Sequence, residues 1–194
     1  MIERKIETFL VKQMAAGLIK EEDISVYSYG YTLMLEMFVN FVVAMIIGLL
    51  LDKVLLISVF LIAFIPLRSF AGGYHANKAW KCFILSNSVI LMAIWVAQFI
   101  CSIDVLAQFL LVEVALGLII AKLAPVQSEN KKISKLEADF YKRIVVVIFI
   151  VEILMEMVIY LFNDKNITGV IFAAHVVVTI SLMVGKYQEK GKQH

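Results

Sequence analysis

Long apolar runs, broken by short patches of charge, constrain this chain more than any other feature. Hydrophobic residues make up 62 % of its 194 residues and charged ones only 18 %, against roughly 45–50 % and about a quarter in an average soluble domain. The bilayer core is about 30 Å thick, so a run near 20 apolar residues crosses it as a helix, and a helix satisfies its own backbone groups in lipid. The runs fall at about 31–51, 54–67, 80–100, 105–121, 144–162 and 167–184. Ahead of them, Ile2, Ile6, Phe9, Leu10, Met14 and Leu18 recur at helical spacing, with Glu3, Arg4, Lys5, Glu7 and Lys12 on other faces. That is the pattern of an amphipathic surface helix over residues 1–20. The expectation is an all-α integral membrane protein, with six transmembrane helices preceded by an N-terminal amphipathic interfacial helix, in a single membrane domain over 1–194. The run 54–67 is short, and Pro66 with Gly72-Gly73 is expected to mark where regular helix gives way to loop.

Orientation follows from the lysines and arginines. Four (Arg4, Lys5, Lys12, Lys20) precede the first run and three (Arg68, Lys78, Lys81) lie in the loop 68–82. Six (Lys122, Lys131, Lys132, Lys135, Lys142, Arg143) lie in the basic loop 122–143 and three (Lys186, Lys190, Lys192) in the tail. Only Lys53 and Lys165 remain, so with six spans sixteen of eighteen fall on one side. Cytoplasmic loops collect such residues, so both termini and the loop 68–82 are expected in the cytoplasm. The start, Met1-Ile2-Glu3-Arg4-Lys5, lacks the apolar core and cleavage site of a secretory signal, and no processing is expected. A net charge of +2 without an arginine-rich or aromatic-interleaved patch argues against a nucleic-acid partner. The lipid bilayer is the partner that composition implies.

The reactive residues are few. Arg68-Ser69-Phe70-Ala71-Gly72-Gly73-Tyr74-His75, followed by Cys82, is a polar, glycine-broken stretch between two apolar runs. A cysteine near a histidine is the minimum equipment for attack on a carbonyl, because the imidazole can take the thiol proton and later protonate a leaving amine. On one straight helix the two would share a face, yet their Cα atoms would stand about 10 Å apart, too far for a hydrogen bond. Productive geometry requires His75 on a bent segment folding back toward a helix that begins near Cys82, and Gly72-Gly73 supplies the backbone freedom. The competing reading is a buried thiol and an interfacial histidine. Cys101, the other cysteine, falls at the opposite membrane face, so no disulfide is expected.

These residues resemble a known family. Pro66, then Arg68-x-x-x-Gly72-Gly73-Tyr74-His75-Ala76 and Cys82, look like the accessory gene regulator B (AgrB) family, integral-membrane cysteine endopeptidases of Gram-positive quorum-sensing systems. Ala124-Pro125-Val126, followed by Asn130-Lys131-Lys132 and Glu137, is similar to that family's later cytoplasmic loop. The resemblance implies processing of a small AgrD-like precursor peptide between its future ring and its C-terminal tail, in a bacterial cell membrane. His75 and Cys82 match the catalytic histidine and cysteine. Cys82 would form an acyl-enzyme thioester, which an internal cysteine or serine of the precursor attacks to close a thiolactone or lactone without a cofactor. A homodimer is the expected assembly. Arg68, Gly72 and Gly73 are supporting positions, Arg68 either binding a substrate carboxylate or anchoring the helix. Lys131 and Lys132 either attract an acidic precursor tail or merely set topology.

Glu36, Glu113, Glu152 and Glu156 lie inside apolar runs, where ionisable groups are costly and face a cavity or a partner. They are either hydrogen-bonded groups within the bundle or the lining of a peptide route. His175 reads as a packed polar residue, and with neither His-Glu-x-x-His nor a cysteine cluster no metal site is expected. Two other functions compete with the peptidase: a peptide transporter or permease that uses these carboxylates, and a non-catalytic membrane scaffold.

Overall fold

The computed structural model describes residues 2–15, 20, 24–74, 79–101, 106–126 and 134–191. These form helices α1 (Ile2–Ala15), α2 (Ile24–Leu50), α3 (Val54–Ala71), α4 (Ala79–Cys101), α5 (Leu106–Leu123), α6 (Lys135–Leu161) and α7 (Lys165–Gly191). The described residues hold no β-strand. The expected all-α membrane protein is what the chain forms. Among the described residues five stretches are long and apolar enough to cross a bilayer: Gly30–Leu50, Val54–Ala71, Trp80–Phe99, Lys135–Leu161 and Lys165–Glu189. Their outward faces are apolar, with Ile62, Trp95 and Phe99 each about 70–80 % exposed, a surface that suits acyl chains and would be unstable in water.

The chain divides into two compact units, Met1–Ala44 and Met45–His194. In the first, Phe9 of α1 meets Tyr31 of α2 edge to face, ring centroids 5.8 Å apart. Thr32 and Asn40 donate to carbonyls one turn back, Ser28 and Glu36, as polar side chains in apolar helices commonly do.

The second unit is organised around α7, which packs against α3, α4, α5 and α6. Val170, Ile171, Ala173, Ala174, Val178 and Leu182 are buried along it. Small residues among them let neighbouring backbones approach, which in a bilayer replaces the hydrophobic drive toward association. Leu67 and Ala71 of α3, Ile120 of α5, and Val145 and Phe149 of α6 complete a core with Val178 and Leu182. The connections are tight. Asp52 and Asn163 take positive φ of 54° and 62° in the α2–α3 and α6–α7 turns, a conformation that Asp and Asn tolerate better than most residues. Asp164 Oδ1 then accepts from the Ile167 N–H at 3.1 Å, capping α7.

Two boundaries differ from the sequence reading. α3 does not stop at Pro66 but runs through it to Ala71. Pro66 removes the bond to Ile62, and both residues lie on the exposed face, so the weakened turn disturbs no buried packing. The helix that carries the run 144–162 begins at Lys135, where Ser134 accepts from the Glu137 N–H and Glu137 accepts from the Ser134 N–H, a complete capping box. At about 1.5 Å per residue α6 is about 40 Å long, which leaves its polar first turns beyond a hydrocarbon core of about 30 Å.

Candidate active site

Arg68, Gly72 and Gly73 are brought together where α3 ends, and Cys82 stands in the first turn of α4. Gly72 caps α3, donating its N–H to the Arg68 carbonyl at 3.1 Å. Its φ of 72° with ψ of −150° belongs to a region that essentially only glycine occupies. The strand-like stub beyond it is held on two sides. Val126 donates its N–H to the Ala71 carbonyl at 2.9 Å and forms an isolated parallel bridge with Gly72. On the other side the Tyr74 N–H donates to the Ser181 carbonyl of α7 at 3.0 Å.

The fit leaves no room for side chains. A Cβ on Gly72 would clash with the Val126 carbonyl oxygen, and one on Gly73 would lie 2.7 Å from Ser181 Oγ. Gly185 of α7 is equally constrained, since its Cβ would come within 2.8 Å of the Gly73 carbonyl carbon and the Tyr74 nitrogen. The two family-like stretches, 66–82 and 124–137, therefore meet through backbone at Gly72 and Val126. Ser181 and Gly185 were missed by the sequence reading because they lie at the end of an apolar run and contribute mainly backbone and empty space.

Arg68 points back over this loop. Its guanidinium Nη2 donates to the Tyr74 carbonyl at 2.6 Å, fixing the backbone one residue before His75. The same guanidinium lies within electrostatic range of Cys82. Cys82 is an unpaired, half-buried thiol in the first turn of α4, in the positive field of that helix N-terminus. Cys101 lies at the far end of the same helix, about 28 Å away by helical rise, so the two cannot pair. Lys81 Nζ stands 5.6 Å from the Trp80 ring centroid. His75, Lys131 and Lys132 lie outside the described residues. Ser69 Oγ donates to the Ile65 carbonyl and Asn87 Nδ2 to the Phe83 carbonyl, intrahelical bonds of a structural kind.

A second polar group lies deeper in the bundle. His175 Nδ1 is 3.0 and 3.1 Å from the two carboxylate oxygens of Glu113, and Nε2 is 3.0 Å from Glu152 Oε2. Glu156, fully buried like Glu113 and His175, completes the cluster. His175 is thus packed, as expected, but between carboxylates of α5 and α6.

The model of the accessory gene regulator B family, AgrB, matches residues 4–182 of the chain. The protein belongs to that family, whose members take part in processing the peptide signal of the agr quorum-sensing system. Neither a curated protein nor a solved structure matches the chain.

Proposed function

We propose that the protein is a membrane-embedded cysteine endopeptidase that removes the C-terminal tail of an AgrD-like precursor and hands the ring segment on for cyclisation. The observation that carries this reading is the position of Cys82. It stands in the first turn of α4, within electrostatic range of the Arg68 guanidinium, which itself bonds to the Tyr74 carbonyl of the glycine loop. The next residue along that loop is His75.

In this mechanism His75 takes the proton of Cys82 as the sulfur attacks the scissile carbonyl carbon. The Arg68 cation lies near the negative charge that develops on the tetrahedral intermediate. The C–N bond breaks, His75 returns the proton to the leaving amine, and the tail departs. The ring segment remains as a thioester on Cys82. A thiol or hydroxyl within the precursor then attacks that thioester, its proton passes to Cys82 sulfur through His75, and the enzyme is regenerated. Thiol exchange keeps most of the acyl bond's free energy, so ring closure needs no nucleotide as long as water is kept out.

With α5 as a sixth span beside the five apolar stretches, both termini and the loop 68–82 lie in the cytoplasm and this site lies at the inner leaflet, where a cytoplasmic precursor is met. The lysine and arginine distribution supports that orientation. Lys131 and Lys132 then face an acidic tail, and a homodimer is the working assembly. Separate Cys82→Ala and His75→Ala variants in liposomes, supplied with the cognate precursor, test the proposal. Both are expected to insert normally and to lose cleavage by at least about a thousandfold. Undiminished cleavage by either would sink it. A hydroxylamine-sensitive adduct between Cys82 and the ring segment is the expected covalent intermediate, and hydrolysed product without such an adduct would remove the cyclisation step.

A further inference from the structure

Four ionisable side chains from three helices meet inside the membrane-spanning unit, about 9 Å along α7 from Ser181. They have no place in the peptidase chemistry. Glu113 comes from α5, Glu152 and Glu156 from α6 and His175 from α7. Three carboxylates surround one imidazole. Hydrogen bonds account for part of this group, since His175 bonds to Glu113 and to Glu152. They account for Glu156 only in part, since a backbone bond with Phe172 leaves one carboxylate oxygen over. Its side chain is 1 % exposed, and its Oε1 is buried without a hydrogen-bond partner. A buried, unsatisfied carboxylate oxygen is costly in a protein interior, and in a bilayer no water is at hand to relieve it.

We propose that Glu113, Glu156 and His175 form a binding site for a first-row divalent cation, with Glu152 as the group that orients the imidazole. One donor atom from each of the three lies within 4.8 Å of the other two. Bonds of about 2.0–2.2 Å to a common ion place opposed donors at most about 4.4 Å apart, so side-chain adjustments of a few tenths of an ångström close the site. The short contact also fits. Two donors about 2.1 Å from one ion and at right angles stand about 3.0 Å apart, close to the 3.0 Å between His175 Nδ1 and Glu113 Oε2.

Glu152 completes a familiar relay. With the Nε2 hydrogen donated to Glu152 Oε2 at 3.0 Å, Nδ1 keeps its lone pair and turns it toward Glu113 and the ion. A carboxylate behind a metal-bound histidine has this role in many sites. The Phe149 ring, 4.6 Å from the imidazole, supplies an apolar wall. One imidazole nitrogen and carboxylate oxygens without a thiolate suit borderline ions such as Zn²⁺ or Mn²⁺. The ion would tie α5, α6 and α7 together while offsetting most of the carboxylate charge. The sequence reading expected no metal because the donors, at positions 113, 156 and 175, share no local spacing motif.

The test uses untagged full-length protein in detergent micelles, stripped with chelator, incubated with Zn²⁺ or Mn²⁺ and desalted. About one retained ion per chain is expected for at least one of the two. At a hundredfold excess over Kd the thermal midpoint is expected to rise on the order of 5 °C. Glu156→Gln and Glu113→Gln should lose both effects, while Glu152→Gln, which still accepts from Nε2–H, should keep the stoichiometry and bind ten- to a hundredfold more weakly. Absorption of the Co²⁺-loaded wild-type protein gives a readout independent of the variants, with visible bands of nitrogen- and oxygen-ligated cobalt expected. Wild-type protein that retains no ion and shows no such bands overturns the proposal. So does a folded Glu156→Gln protein that binds as well as the wild type.

Discussion

The glycine loop and the Glu113–His175 cluster both lean on α7, and they are built by opposite means. At 72–74 the contacts are made by backbone, and glycines, Gly185 of α7 among them, let Val126 on one side and Ser181 on the other come within bonding distance. At 175 the contacts are made by side chains that reach across from α5 and α6. The loop is therefore vulnerable to added atoms and the cluster to removed ones. A loop that positions a reactive residue gains from this arrangement, because backbone bonds hold it without placing bulky groups where a peptide substrate must enter.

The largest stability effect is expected at the cluster. His175→Leu leaves Glu113 and Glu152 facing an apolar side chain, and breaking a buried pair from one side costs about 3–5 kcal/mol. Glu113→Leu should cost a similar amount. The double variant is expected to be less destabilised than the sum, with a coupling of about 0.5–3 kcal/mol. Unfolding in mixed micelles provides the cycle, and strict additivity would mean that the contacts at 3.0–3.1 Å contribute no coupling.

Gly72→Ala is expected to come next. Its Cβ would press on the Val126 carbonyl oxygen, and the backbone would sit in a glycine-only region, a strain of about 1–3 kcal/mol added to the overpacking. Cleavage should fall at least tenfold because Arg68, Tyr74 and His75 move with the loop. Ser181→Ala removes an atom on the other side of the loop and is expected to change stability by no more than about 0.5 kcal/mol, since the Tyr74 N–H is held by the Ser181 main-chain carbonyl. Equal effects from the two substitutions would break the contrast between backbone-built and side-chain-built regions.

Arg68 separates charge from positioning at the loop. Arg68→Lys keeps a cation within electrostatic range of Cys82 but loses the planar fork that reaches the Tyr74 carbonyl, whereas Arg68→Gln keeps a donor and loses the charge. If charge stabilisation dominates, the lysine variant should retain more of the wild-type kcat than the glutamine variant. The reverse order in a liposome cleavage assay would make Arg68 a positioning residue alone.

Much of this was legible in the sequence because it is local. Apolar runs announced the helices, the Asp52-Lys53 turn was visible as a two-residue break, and α4 does begin just before Cys82. Pro66 misled because a proline on an exposed helix face breaks little that matters. The meeting of Gly72 with Val126 was out of reach, since a backbone contact between residues 54 positions apart leaves no periodicity. The cluster was half visible: Glu152 and Glu156 share a helix face, but that they meet Glu113 and His175 depends on how three helices rotate against one another.

The smallest expected effect concerns a residue that the family likeness singled out and the structure explains locally. Glu137 belongs to the later family-like stretch, yet its carboxylate accepts from the Ser134 N–H at 2.8 Å while Ser134 Oγ accepts from its own N–H at 3.3 Å. That reciprocal pair satisfies two of the free donors at the start of α6. Ser134→Ala should therefore cost about 1 kcal/mol of stability and leave cleavage within about twofold. Glu137→Gln, which keeps an accepting oxygen, should cost less. A large loss of cleavage in Ser134→Ala protein with an unchanged melting profile would show that this helix start does more than end the basic loop, and would move Ser134 and Glu137 from the scaffold to the region where precursor is held.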